Sequence, residues 1–452
     1  MRKHLLLLGI LAVGAASIAE AALTDDLSVA NSGRAAFAHP LPFLTGSALE
    51  RFLVGGAIFA QPWAPGAPGD ESRFVGLGPL ANNLSCIGCH IGHGRGEPSA
   101  NENDVMQSTL VRLSVPGAVP MAGSAPDPTY GDQIQPHGIS NVPGEMDPSI
   151  RWHEETQTLG DGTRVSLRHP ELVLRNFHYG PLAQGTMMSV RMSPAVFGLG
   201  LLAAVPEADL IVNSDPNDEN DDGIRGRVNH VWDAEIGRSV VGRFGLKANQ
   251  PTLKQQVAGA LIGDMGITSR LFMNQNCTAA EVACKRTASS TAPEISDADF
   301  AALVDYMNTL APPARRPGNE TTRLGEGLFE EWQCAACHFP AMRTGPLPGF
   351  PEVAGRTIHP YTDLLLHDMG EGLADGRPDY EASGRDWRTT PLWGIGLVPM
   401  VTAHPTYLHD GRARNLTEAI LWHGGEAESA RGFFADASAK DREALLAFLN
   451  SL

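Results

Sequence analysis

After the first twenty or so residues, no run approaches the ~18 uninterrupted apolar residues that a membrane-spanning helix needs. The mature chain is therefore expected not to span a membrane. Positive charge is also short. Lys and Arg number 34 against 51 Asp and Glu, a formal charge of -17. Such a balance is a poor basis for binding nucleic acid and favours cationic partners. Cysteine is scarce, with six in 452 residues, so each one can be accounted for. The length allows two or three domains with sizeable cores.

The chain opens MRKHLLLLGILAVGAASIAEA. Arg2, Lys3 and His4 form a basic head, an apolar run follows, and Ala19-Glu20-Ala21 has the small-x-small pattern of a cleavage site. Residues 1–21 are expected to be a secretory signal peptide that sends the protein to the periplasm. An N-terminal membrane anchor is the rival reading, but the run is short for one. No cysteine follows the cut, which argues against a lipid anchor there.

Four of the six cysteines fall in two identical patterns, Cys86-Ile87-Gly88-Cys89-His90 and Cys334-Ala335-Ala336-Cys337-His338. Cys-x-x-Cys-His is the attachment signature of c-type haem. Two thiols at that spacing can each add to one vinyl group on a haem edge, and the next residue reaches the iron. A zinc site would bring the pairs within about 15–20 residues of each other; here they are 248 apart. A thioredoxin-like motif would occur once, beside a βαβ pattern. Two haem c groups are therefore expected, held by Cys86, Cys89, Cys334 and Cys337, with His90 and His338 on the irons. Cys277 and Cys284 remain. In an oxidising compartment a local disulfide is the default; a redox-active pair is the alternative, without a nearby group to activate a thiolate.

A second duplication supports the first. Residues 296–310, SDADFAALVDYMNTL, align without gaps to 438–452, SAKDREALLAFLNSL. Both place apolar residues at helical spacing and end in Asn-x-Leu. Each reads as the closing helix of a cytochrome c domain. The expected architecture is mainly α, with two tandem cytochrome c-like domains, 22–310 and 318–452, joined by the linker APPARRP at 311–317. The first repeat is roughly a hundred residues longer. The excess is placed in 97–190, rich in Pro, Gly and polar residues, and read as a loop-rich insertion. Inside this domain Asp218, Asn220, Asp222 and Gly223 match the start of a calcium loop. The twelfth position is Asn229 rather than Glu, so an acidic turn stays open beside calcium.

With two haem motifs in place, the chain resembles the bacterial di-haem oxidoreductase family, related to the di-haem cytochrome c peroxidases. The resemblance rests on GLGPLANNLSCIGCH, GRFGLKANQPTLKQQVAGALIGDMGITS, YTDLLLHDMGEGLADG and YLHDGRARNLTEAILWHGGEA. It implies a division of labour in which the N-terminal haem binds peroxide and the C-terminal haem relays electrons. It also implies a peroxide site containing Gln256 and, in the run Asp264-Met265-Gly266, a carboxylate able to move a proton between peroxide oxygens. Three departures stand out. Ala260 replaces a Pro, Asp264 replaces a Glu after a stretch two residues shorter, and Leu246 replaces a Trp between the haems.

For the second haem, Asn415 and Glu418 form a capping-box-like start, and Leu416, Ala419, Ile420 and His423 share one face of the following helix. His423 thus points inward. A buried structural histidine is the plain reading. Relatives carry an axial ligand fourteen residues after their matching His-x-Gly, and fourteen after His409 is His423. The resemblance therefore implies His423 as axial ligand, with Met369 and Met400 as fallbacks. Imidazole in place of thioether lowers a haem's potential. For the first haem His93, His137, His153, His169, His178, the Met187/Met188/Met192 group and an open position all stay in play.

The function expected is a periplasmic di-haem oxidoreductase, peroxidase-like. It would reduce hydrogen peroxide or another small oxidant with electrons from a small donor protein of cytochrome or cupredoxin type. The alternative is a di-haem electron-transfer cytochrome without small-molecule turnover; an oxygenase on the same scaffold is more distant.

Overall fold

The computed structural model describes residues 27–66, 73–99, 101–287 and 292–452. The expected signal peptide lies outside them. No helix among the described residues is long and apolar enough to cross a membrane.

The mainly α expectation is overturned. The chain is 30% helix and 19% strand, the strands forming several small sheets. The reason lies in 97–190, which is not a loop-rich insertion. It holds Thr109–Ser114 paired antiparallel with Met187–Met192, and Asp147–Thr158 paired antiparallel with Arg164–Arg175. The second pair is a long hairpin in register from Asp147↔Arg175 to Thr158↔Arg164, turning through Gly162 at φ +85°. Most of its side chains are exposed or half-buried. Neither face carries a clean apolar stripe, so the period-2 signal is faint, and main-chain pairing and cross-strand contacts hold the ladder.

The helices form a repeated crossing. Gly46–Ala60 packs on Asp297–Thr309, and Glu320–Glu331 packs on Ala439–Leu449. Ser296 and Ser438 cap the two closing helices by accepting from the amides of Asp299 and Asp441. At the first crossing a Cβ on Gly55 would lie 2.2 Å from the Ala302 carbonyl oxygen. At the second, a Cβ on Gly325 would lie 1.9 Å from that of Ala444. Ala302 and Ala444 occupy the same place in the duplicated segment, so both halves need glycine where two backbones touch. The duplication reaches further than the sequence reading. Gly198 and Gly394, at φ +71° and +73°, donate to the carbonyls of Leu310 and Leu452, again matched positions.

The 311–317 segment is fastened at both sides: Ala311 donates to His39, Ala314 to Val29 and Arg316 to Ser451. The long hairpin also crosses between the halves. Leu159 and Leu167 are buried in the cluster of Trp332, Phe434 and Phe448, and Gly160 donates to the Ala435 carbonyl.

Candidate functional site

Cys86–Cys89 is a single helical turn capped by Ser85. A Cβ on Gly88 would sit 2.3 Å from Asn83 Oδ1, so the residue between the cysteines must be small. Cys334–Ala336 is a 3-10 turn entered through Gln333 in the left-handed region. The following histidines are held alike. His90 Nδ1 donates to the Pro194 carbonyl at 2.7 Å, and His338 Nδ1 to the Tyr361 carbonyl at 2.9 Å. Burial pushes both rings down to about 4, so they are neutral near pH 7, and the carbonyl bond leaves the Nε2 lone pair free.

Cys334, Cys337 and His338 line a cavity of about 260 Å³, many times the space one water takes. His423 is on its wall. Its Nδ1 donates to the Ala419 carbonyl one turn back, at 2.8 Å, and burial lowers its pKa. His338 and His423 are therefore two neutral imidazoles on one cavity, each with Nε2 unspent. Met369 also lines the cavity, whereas Met400 is 49% exposed and does not. His409 lies flat on Trp387, with ring centroids 3.7 Å apart, and both line the cavity beside Leu246. The aromatic rings that the sequence lacks at 246 thus stand next to it, brought from the Asp386–Arg388 strand and the 407–411 loop.

Behind Cys337 is a feature sequence reasoning missed. His367 Nε2 bonds Asp363 Oδ2 at 2.8 Å and Nδ1 bonds Glu426 Oε2 at 2.7 Å. Burial alone would lower its pKa; the bonds to Asp363, Cys337 and Glu426 win and hold the ring protonated. Among the described residues Cys337, Asp363 and His367 bring possible metal-ligating atoms together, but both ring nitrogens of His367 are already hydrogen-bonded to carboxylates. The clamp instead fastens the Cys337 side of the cavity to the segment just after His423. YTDLLLHDMGEGLADG carried the histidine and Asp363 in plain sight as a family marker, without their second carboxylate, Glu426.

Around the first pair of thiols the wall is different. Asp264 lies in the last turn of the helix Leu253–Met265, and its carbonyl accepts from the amides of Asn82 and Asn83. Its charge reaches both thiols: burial first, then Asp264, pushes Cys86 and Cys89 up to about 12. Gln133 Nε2 donates to Asp264 Oδ1 at 2.8 Å. Burial raises the Asp264 pKa by more than that bond and the charge of Arg112 lower it. Gln133 is another missed residue; it lies in the insertion, whose register was not readable. Gln256 sits two turns earlier on the same helix, about 80° round from Asp264, half-buried and outside this hydrogen-bond set.

The candidates for the first sixth ligand disperse. His93 Nε2 bonds the Tyr306 hydroxyl and its ring stacks on Phe59, which also faces His90. His153 and His169 pair with each other on the hairpin, 5.3 Å apart. His137 lies in a short strand paired with Ala81, and His178 bonds the Gly144 carbonyl. Met187 and Met188 lie on a strand, Met188 38% exposed, and Met192 is buried with its sulfur taking the Thr109 hydroxyl. None belongs to the group around Asp264.

Further out, Glu145 and Glu281 are both fully buried, and the Glu145 carboxyl accepts from the Gln135 amide. Burial and Glu281 raise the Glu145 pKa well above the usual range. A raised carboxyl pKa gives stability that is present at low pH and lost as pH rises through it. Glu145→Gln is therefore expected to match the parent near pH 5 and to melt higher at pH 8, by an amount worth about 1 kcal/mol. An identical pH dependence in both proteins would refute a raised Glu145 pKa.

Two other expectations can be placed. Cys277 and Cys284 are joined in a disulfide, Cα atoms 5.7 Å apart. In the acidic loop Asp218 Oδ1 accepts from the Gly223 amide and Asp222 Oδ1 from that of Ile224. Asn229 is turned inward, donating to the carbonyls of Lys247 and Asp379, so the twelfth position faces away from Asp218, Asn220 and Asp222.

Neutral histidine and paired thiols occur at both motifs, and at the second they line an apolar-walled cavity that fits a haem: the sites define a two-haem redox protein. The chain belongs to the family described as "Di-haem oxidoreductase, putative peroxidase", which matches residues 18–452. No curated protein matches it. A structure of hydrazine synthase from Kuenenia stuttgartiensis is similar at 19% identity over 39% of this chain and 63% of that one, with a TM-score of 0.25. A likeness that shallow says nothing of activity.

Proposed function

We propose that the chain is a periplasmic c-type di-haem oxidoreductase of peroxidase type. The observation that carries this reading is the unlikeness of its two sites. The second cavity has His338 and His423, both neutral and free at Nε2. Beside the first thiol pair stands a half-buried, amide-held carboxyl, Asp264. One site is furnished with two imidazoles for electron transfer, the other with an acid-base group for chemistry on a small oxidant.

In this reading Cys86, Cys89, Cys334 and Cys337 form thioethers to two haems, and His90, His338 and His423 ligate iron. The haems supply electrons one at a time and the iron to which peroxide binds. Overall, hydrogen peroxide, two electrons and two protons give two waters. The electrons enter from a small donor protein of cytochrome or cupredoxin type. Asp264 takes the proton from one peroxide oxygen and returns it to the other; Gln133 holds the carboxyl in place, and Gln256 borders the approach. Pro194, whose carbonyl orients His90, also lines the second cavity, so one backbone segment serves both sites.

Visible and EPR spectra of the purified, half-reduced protein test the reading. One high-spin haem that changes on adding hydrogen peroxide, beside one low-spin haem that does not, is the expected result. Two low-spin haems indifferent to peroxide would instead make it an electron-transfer cytochrome.

A further inference from the structure

Buried arginines usually sit beside a carboxylate, because an unpaired charge out of water costs several kcal/mol. This chain follows the rule at Arg191 with Asp379, Arg377 with Asp379 and Arg412 with Asp410. Arg388 and Arg95 break it. Each is 8% exposed, each lines the second cavity, and among the described residues neither forms an ion pair. Arg388 donates from Nε to the Gly245 carbonyl, while its Nη1 is buried without a partner. Arg95 donates to the carbonyls of Thr406 and Leu408, which bear no net charge. The carboxylates nearby are already taken. Glu426 is held by His367 and the amides of Asp368 and Arg225, and Asp363 by His367 and the Leu365 amide. A third buried arginine without an acid, Arg243, is spent on three carbonyls and is not on this cavity wall.

We propose that Arg388 and Arg95 form a two-point clamp for the carboxylates of whatever occupies the second cavity. On the reading above these are the two propionates of its haem. A guanidinium offers a planar fork matched to a carboxylate, and a dianionic ligand would balance both cations. The clamp also joins the two sites. Arg95 stands five residues after His90 in the first motif, yet it faces the second cavity. The first site's own segment therefore helps set the potential of the second.

Redox titration of the full-length holoprotein, followed in the visible spectrum, tests this with Arg388→Gln, Arg388→Lys and Arg95→Gln. Haem is counted in every sample by the pyridine haemochrome method. Positive charge near a haem favours its reduced form. Each Gln variant should therefore lower the equilibrium constant for reducing the second haem by about tenfold, with a smaller effect on the first. Arg388→Lys, which keeps the charge, should stay near the parent. A merely structural arginine would not be rescued by charge. Gln variants with two haems and an unmoved second potential overturn the clamp. A parent protein with fewer than two covalent haems would instead overturn the di-haem c reading. Should Arg388→Gln fail to fold, Arg95→Gln carries the same test.

Discussion

Replacing Asp264 with asparagine should cut the turnover of hydrogen peroxide by about 10²–10⁴-fold, the usual worth of a positioned acid-base group. Asparagine keeps the oxygen that accepts from Gln133 Nε2 and nearly the same volume, so the fold and the haem spectra should survive. What is lost is a group that can gain and release a proton. The pH profile makes the test specific. Asp264 must be ionised to take the first proton, and burial raises its pKa. Parent activity should therefore fall on the acid side at a pH above the ordinary aspartate value, and the residual activity of Asp264→Asn should lack that limb. Asp264→Glu should recover part of the rate, since the longer side chain still titrates. An Asp264→Asn protein with full activity would leave the carboxyl as a helix-end structural group and remove it from the mechanism.

Replacing His423 should have the largest spectroscopic effect. His423→Ala should turn the second haem from low-spin to high-spin, because it removes the imidazole proposed as that iron's second ligand. His423→Met should keep it low-spin and raise its potential, thioether for imidazole. Both are read by visible absorption and redox titration on the same samples. A second haem with an unchanged spectrum in His423→Ala would pass the ligand role to Met369, the remaining sulfur on the wall.

The site was legible in the sequence to the extent that chemistry fixes spacing. Cys-x-x-Cys-His needs its residues adjacent, so both attachment motifs could be read directly, and the helical face carrying His423 could be read from its 3.6-residue period. Groups recruited across long separations left no such trace. Gln133 reaches Asp264 from 131 residues away, and His367 meets Glu426 from 59. Arg95 and Arg388 are ordinary-looking arginines until their burial is known. The fold was legible in its helices and not in its strands. The closing helices announced themselves by repetition, while the hairpin at 147–175 is lined by charge on much of both faces. The glycines at 55 and 325 carried a signal that was passed over, because a close helix crossing is visible only once both partners are aligned.

The hairpin has a consequence for biogenesis. Its tip supplies Leu159 and Leu167 to the core of the C-terminal half, yet it is synthesised long before that half exists. Domains that emerge first ordinarily fold first; here the first to emerge must carry two leucines meant for a core that arrives some 160 residues later. Until then they are apolar surface on a protruding ribbon. The C-terminal half, in turn, packs Phe434 in the same cluster as these leucines. The core of the C-terminal half is therefore completed by a strap laid down well before it in the chain.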